Sequence, residues 1–158
     1  MLTKAELNDL FAVADGVLIR RKRVSNNTKV GDKAGTLSKD GYIRVFVRGK
    51  SYLAHQLVFI MTHGYKAKEV DHINGVKTDN RPENLREVTR SQNRMNTLGR
   101  GKAKVKNVTQ HTCGNRFEVT LYVNGKKKYI GLFEDLELAE LVAAEARIKF
   151  HGQYARAA

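Results

Sequence analysis

Apolar and polar residues partly alternate through Tyr42-Ile43-Arg44-Val45-Phe46-Val47-Arg48, a β-branched and aromatic run. The tetrapeptide "RGKS" breaks it, and Ser51-Tyr52-Leu53 begins a return, so a β-hairpin is predicted. The period then changes. Leu57, Val58 and Met61 fall at helical spacing within Ala54 to Thr62, and Gly64 is placed to stop that helix. Upstream, "LTKAELNDLFAVAD" predicts a short helix in which Thr3 and Glu6 form a capping-box pattern before Leu7, Leu10 and Phe11. "GVLIRRKRVSN" follows as a strand with a basic continuation, and "VGDKAGTLSKDG" is turn-rich.

Downstream of Gly64 the units are shorter. "KEVDH" reads as a strand, "INGVKTDNRPEN" as a loop and "NLREVT" as a second strand. "RSQNRMNTL" reads as a helix capped by Thr89 or Ser91. "VTQHTCGNRFEVTLYVNGKKKYIGLF" predicts three short strands with an Asn-Gly hairpin turn. "DLELAELVAAEARIKFHG" predicts an amphipathic helix with Asp135 as N-cap. Leu138, Leu141, Val142, Ala146 and Ile148 form a stripe expected to be core. Three strands with one helix across them make a complete small module. Between the two regions, "GRGKAKVKN" carries Arg100, Lys102, Lys104 and Lys106, two glycines and no acid, and reads as a basic linker.

The expected class is therefore α+β. A β-rich N-terminal region leads into a strand, loop, strand, helix core at about 68–98 within a domain spanning 1–98. A linker at 99–107 and a small antiparallel three-stranded sheet packed on a helix at 108–158 complete the chain.

Charge narrows the partners. With 29 Lys+Arg against 16 Asp+Glu, the 158-residue chain carries +13, which favours a polyanion: DNA, RNA or an anionic membrane. No apolar run approaches the ~20 residues that span a bilayer. The start "MLTKAELNDLFAVADGVLIRRKR" has its basic residues after an acidic, interrupted opening, the reverse of a signal peptide. The single cysteine, Cys113, excludes an intrachain disulfide and a multi-cysteine zinc site and suits a reducing, cytoplasmic setting.

The stretch "VDHINGVKTDNRPENLREVTRSQN" (Val70 to Asn93) concentrates the candidate chemistry. Asp71 at a strand end is a natural ligand for a hard divalent cation. His72 beside it is suited to activating water as a general base, and Gly75 lets the chain leave regular strand geometry. Asn84, twelve residues after His72, can stand opposite on the returning strand and hold the loop or the imidazole through its amide. Asn93, nine residues further on, sits on the predicted helix, where its amide oxygen is a candidate second ligand. One carboxylate and one neutral oxygen suit Mg²⁺ or Mn²⁺, whose other positions take water and phosphate oxygens. Asp79 and Asn80 read as loop caps. His55 reads as a hydrogen-bonded, half-buried residue tying the hairpin to the core, with phosphate contact as the alternative.

This stretch resembles the HNH, or ββα-metal, endonucleases, most closely the homing type of bacteriophages and introns. The resemblance implies Asp71 and Asn93 as metal ligands, His72 as general base and Asn84 as the residue that orients the base. The lead-in "YLAHQLVFIMTHG" is similar to that family's, with Gln56 where arginine is usual. The tail "GNRFEVTLYVNGKKKYIGLFEDLELAELVAAEARIKFHGQYA" resembles the AP-two/ERF DNA-binding domain, with Phe117 where tryptophan is frequent. Together the two resemblances cover about Gly41 to Ala155.

The expected function is metal-dependent hydrolysis of phosphodiesters in double-stranded DNA, by nicking or double-strand cleavage, with one divalent ion per active site and no small-molecule cofactor. The chain is expected to act as a monomer or weak dimer. Contacts with DNA are expected from Arg100, Lys102, Lys104, Lys106, Arg116, Tyr122, Asn124, Lys126, Lys127 and Lys128. Two rivals share the charge: a non-catalytic DNA-binding regulator on the same scaffold, and an RNA-binding protein. The second lacks the aromatic-rich stacking surface expected for single strands.

Overall fold

Thr3 and Glu6 close the capping box that starts the first helix: the Glu6 amide donates to the Thr3 hydroxyl, and the Glu6 carboxylate accepts from the Thr3 amide. The helix, α1 (Lys4–Leu10), is shorter than its sequence pattern, because Phe11-Ala-Val-Ala14 leaves it as strand β1. The cause lies just beyond. Asp15 and Gly16 both take positive φ, 48° and 76°, and fold β1 back onto β2 (Val17–Arg20) through the two-residue turn that strand twist favours. Phe11 and Leu18 thereby enter the core at 2% exposure, an outcome a continued helix would forfeit.

The computed structural model describes residues 2–95, 105–111 and 114–155 and is mixed α+β, built on small antiparallel sheets. Strand β3 (Thr36–Leu37) adds to the predicted hairpin of β4 (Ile43–Val47) and β5 (Lys50–Leu53), whose turn at Arg48-Gly49 also has positive φ at both residues. Helix α2 (Ala54–His63) follows and ends on Gly64 in the left-handed conformation, as its sequence predicts. Strands β6 (Glu69–His72) and β7 (Leu85–Val88) form a separate ladder joined by the 73–84 loop, which closes in a 3-10 turn at Pro82–Asn84. Helix α2 packs against β4, β5, β6 and β7. The core it anchors includes Leu7, Phe11, Leu18, Val45, Leu57, Val58, Phe59 and Leu85.

By contacts the chain divides into two compact units, Met1–Val88 and Thr89–Ala158. The second unit opens with α3 (Arg90–Met95), capped by Thr89 through a reciprocal pair with Gln92. Its sheet has β9 (Phe117–Val123) between β8 (Val108–Gln110) and β10 (Lys126–Phe133), with the Asn124-Gly125 turn at positive φ. Helix α4 (Leu136–His151) begins at Asp135, whose carboxylate accepts from the Leu138 amide at 2.7 Å.

The buried face of α4 keeps Ala146 of the predicted stripe but not its leucines or Ile148. Ala139, Ala143 and Ala146 meet the sheet, while Leu138, Leu141 and Ile148 are 49, 58 and 68% exposed. Volume explains the choice. Phe117, Phe133 and Phe150 with Val119 and Leu121 already fill the layer between sheet and helix, and alanines allow close approach. Arg147 is buried at 2% on the same helix and donates to the Lys106 carbonyl at 3.0 Å, and burial lowers its pKa from the ordinary value.

Candidate functional site

Residue pairing along the β6–β7 ladder sets the first part of the site. Asp71 stands opposite Arg86 and His72 opposite Leu85. Asp71 and His72 are 8 and 5% exposed, a degree of burial that polar side chains tolerate only with partners. Asp71 accepts at Oδ2 from Arg86 Nε at 3.2 Å and Nη2 at 3.0 Å. The guanidinium was not singled out by the sequence. Only the strand register, which pairing reveals, brings it to the carboxylate.

His72 has a different anchor from the one the resemblance implies. Its Nε2 lies 2.9 Å from Oδ1 of Asn80, which is 2% exposed. An amide oxygen only accepts, so Nε2 carries the ring proton and Nδ1 is the basic nitrogen. Asn80 was read as a loop cap; the structure makes it the residue that fixes the imidazole tautomer.

Asn84 instead organises the loop. Its Oδ1 accepts from the Asn74 amide at 3.0 Å, and its Nδ2 donates to Asn74 Oδ1 at 3.0 Å and to the Asp79 carbonyl at 2.7 Å. Arg81 grips Asp79 at both carboxylate oxygens, at 2.8 and 2.9 Å, and holds that carboxyl well below the usual range. Lys77 donates to the Asp40 carbonyl at 2.7 Å and lies 4.7 Å from the Tyr42 ring centroid. The loop between the strands is thus tied at Asn74, Lys77 and Asp79, and Asn80 is presented to His72 from a fixed frame.

Aromatic rings close over the histidine. The His55 ring meets His72 edge-on at 4.8 Å, and Tyr42 lies 5.4 Å from His55 and 6.2 Å from His72. His55 is 4% exposed, deeper than the half-buried position its sequence suggests. Burial, then the neighbouring His72, pushes its pKa down to about 4, so His55 is neutral near pH 7. Burial, then the charges of Asp40 and Asp71, raises the Tyr42 hydroxyl above its ordinary value. A neutral imidazole and a neutral phenol thus put no net charge of their own beside the His72 ring.

A hard cation fits this donor chemistry at Asp71, a carboxylate held in place at a strand end. No group of three or more His, Cys, Asp or Glu able to hold a metal occurs among the described residues. One carboxylate helped by neutral oxygens and water is the donor set that Mg²⁺-like ions accept. Asn93 lies in α3, in the second unit, half-buried, with its backbone N–H donating to the Thr89 carbonyl at 2.9 Å.

Of the residues expected to meet DNA, Arg100, Lys102 and Lys104 lie outside the described residues, as does Cys113. Lys106 leads into β8, and its carbonyl serves Arg147. Arg116 is exposed before β9, and Asn124 forms the hairpin turn. Register sorts the rest. Lys127 pairs with Tyr122 and Tyr129 with Thr120 on the outer face, whereas Lys126 pairs with Val123 and Lys128 with Leu121 on the helix side. Lys128 lies 4.1 Å from the Phe150 ring centroid, and Lys127 pairs with Glu118 at 3.2 Å. Tyr122 and Tyr129 are 63 and 61% exposed on that outer face.

Residues 52–95 match the family model described as HNH endonuclease. This segment runs from the second strand of the β4–β5 hairpin through α2, the β6–β7 ladder and α3. No curated protein and no solved structure matches the chain. The match supports a nuclease, a phosphodiester hydrolase, and implies DNA as its substrate; nucleases of this kind generally use a divalent metal ion. No helix among the described residues is long and apolar enough to cross a membrane.

Proposed function

We propose that the chain is a metal-dependent endonuclease of the homing type that hydrolyses phosphodiester bonds in double-stranded DNA, with His72 as general base. The observation that carries this reading is the Nε2–Asn80 hydrogen bond, because it fixes the tautomer in which Nδ1 takes a proton. His72 Nδ1 removes a proton from water, and the resulting hydroxide attacks phosphorus. The bond to the leaving oxygen breaks, and one strand is cut. Asp71 and, from the motif, Asn93 are the residues that would hold Mg²⁺ or Mn²⁺, an ion that would supply charge stabilisation at the phosphate and the leaving oxygen. Asn84 keeps the loop in shape, His55 and Tyr42 shield the imidazole, and Arg86 balances the Asp71 charge.

The second unit supplies affinity for DNA, in the manner of an AP-two/ERF-like module, through the outer face of its sheet and its basic approaches. A single active site cuts one strand per event, so a nicked duplex is the first product. The test is incubation of the protein with duplex DNA and Mg²⁺ or Mn²⁺. Cleavage that stops on chelation supports the reading. DNA that is bound yet stays intact with both metals contradicts it.

A further inference from the structure

Two hairpins in the first unit carry the same turn. Asp15-Gly16 joins β1 to β2 with φ of 48° and 76°, and Arg48-Gly49 joins β4 to β5 with φ of 49° and 75°. Their surroundings differ completely. A Cβ on Gly49 would meet nothing within 4 Å. A Cβ on Gly16 would stand 2.4 Å from the Arg81 amide nitrogen and 2.6 Å from the Asn80 carbonyl carbon. Gly16 is buried, and the atoms it touches are backbone, which cannot swing aside as a side-chain tip would. The peptide it presses against is the one that carries Asn80, whose side chain holds His72.

We propose that the β1–β2 turn is a positioning part of the active site, with Gly16 seating it against the Asn80–Arg81 peptide and thereby holding the Asn80 oxygen on His72 Nε2. The inference rests on the reading of His72 as general base. It extends the working nuclease beyond the matched segment 52–95, because the brace comes from the first twenty residues of the chain. The loop is braced on its other limb too, where Lys77 reaches the Asp40 carbonyl. Asn80 is therefore held by chain from both sides, and a displacement of about 1 Å at a catalytic group can cost on the order of 10²-fold in rate.

The two turns provide their own control. Gly16→Ala and Gly49→Ala both place a Cβ at the same positive φ, but only the first also collides with the Asn80–Arg81 peptide. In the full chain, the proposal expects Gly49→Ala to keep kcat within about twofold of wild type. Gly16→Ala is expected to lower kcat by roughly tenfold or more with KM for DNA within about twofold. A second readout is independent of turnover: the ¹⁵N signals of the His72 ring should report the Nε2-protonated tautomer in wild type and Gly49→Ala, and a mixture of tautomers in Gly16→Ala. A second variant guards against misfolding. One glycine inserted between Asp15 and Gly16 loosens the turn without a collision, and the same loss of kcat and tautomer is expected. If either folded Gly16 variant matches Gly49→Ala in kcat and ring signals, the proposal is overturned. If wild type shows no cleavage at all, the reading of function fails, while the ring signals still decide the brace.

Discussion

Arg86 stands directly across the β6–β7 ladder from Asp71 and donates from Nε and Nη2 to one carboxylate oxygen, at 3.2 and 3.0 Å. Both side chains are largely withdrawn from water, at 17 and 9% exposure. The pair keeps the proposed metal ligand neutralised within the protein, so a divalent cation at Asp71 would share that carboxylate with the guanidinium. Arg86→Gln should leave a buried carboxylate short of positive charge and destabilise the first unit by about 2–4 kcal/mol in chelator. Millimolar Mg²⁺ should then raise the melting temperature of the variant more than that of wild type, because the ion takes over the missing charge. Thermal melts with and without Mg²⁺ check this. Equal Mg²⁺ responses would contradict it.

The two asparagines of the loop should separate cleanly in mutagenesis. Asn80→Ala removes the acceptor on His72 Nε2, and kcat is expected to fall by roughly 10–100-fold while DNA affinity holds. Asn84→Ala removes three side-chain hydrogen bonds that shape the loop, and is expected to cost about 2–3 kcal/mol of stability. Paired measurements of kcat and melting temperature on both variants decide the assignment.

His55 links stability to pH. Its folded pKa of about 4 lies below the ordinary 6.5 of histidine, so the unfolded chain binds the extra proton first. Stability from the neutral ring is fully present above pH 6.5 and declines as pH falls towards 4, by at most about 3 kcal/mol. Glu6, lowered to about 2 chiefly by its hydrogen bonds to Thr3 and Arg48, acts only below pH 4.5. Urea midpoints measured between pH 7 and pH 4.5 should fall in wild type and stay flatter in His55→Asn.

On α4, Leu138→Ala, Leu141→Ala and Ile148→Ala should each cost less than about 0.5 kcal/mol, whereas Ala143→Leu, at a fully buried position, should cost about 1–3 kcal/mol by overpacking. On the sheet, Tyr122→Ala and Tyr129→Ala should weaken DNA binding, while Lys128→Ala, on the helix side, should leave it within about twofold. Denaturant midpoints and a binding titration at fixed salt check the two halves.

Much of this was legible in the chain. The capping box at Thr3, the hairpin at 43–53, the stop at Gly64, the Asn124-Gly125 turn and the Asp135 cap are local features, and local sequence determines them. What escaped depended on packing or pairing. Phe11-Ala-Val-Ala14 suits a helix or a strand, and only the core contact of Phe11 decides. A leucine stripe and an alanine stripe both run along α4, and the one that meets the sheet is chosen by the space its phenylalanines leave. Asn80 and Asn84 are chemically identical, so spacing alone does not tell which amide faces the ring. Arg86 becomes part of the site only through strand register, and Gly16 only through a close approach between segments far apart in sequence.

The central claim is that His72 is the base of a metal-dependent nuclease. It is tested most directly on supercoiled plasmid DNA with Mg²⁺, comparing wild type with His72→Ala. The account predicts a nicked product from wild type that is lost in His72→Ala while DNA binding is retained. Unchanged cleavage by His72→Ala would contradict the assignment of the base. Intact plasmid with both proteins, alongside salt-sensitive binding, would contradict the catalytic reading and leave a basic DNA-binding protein.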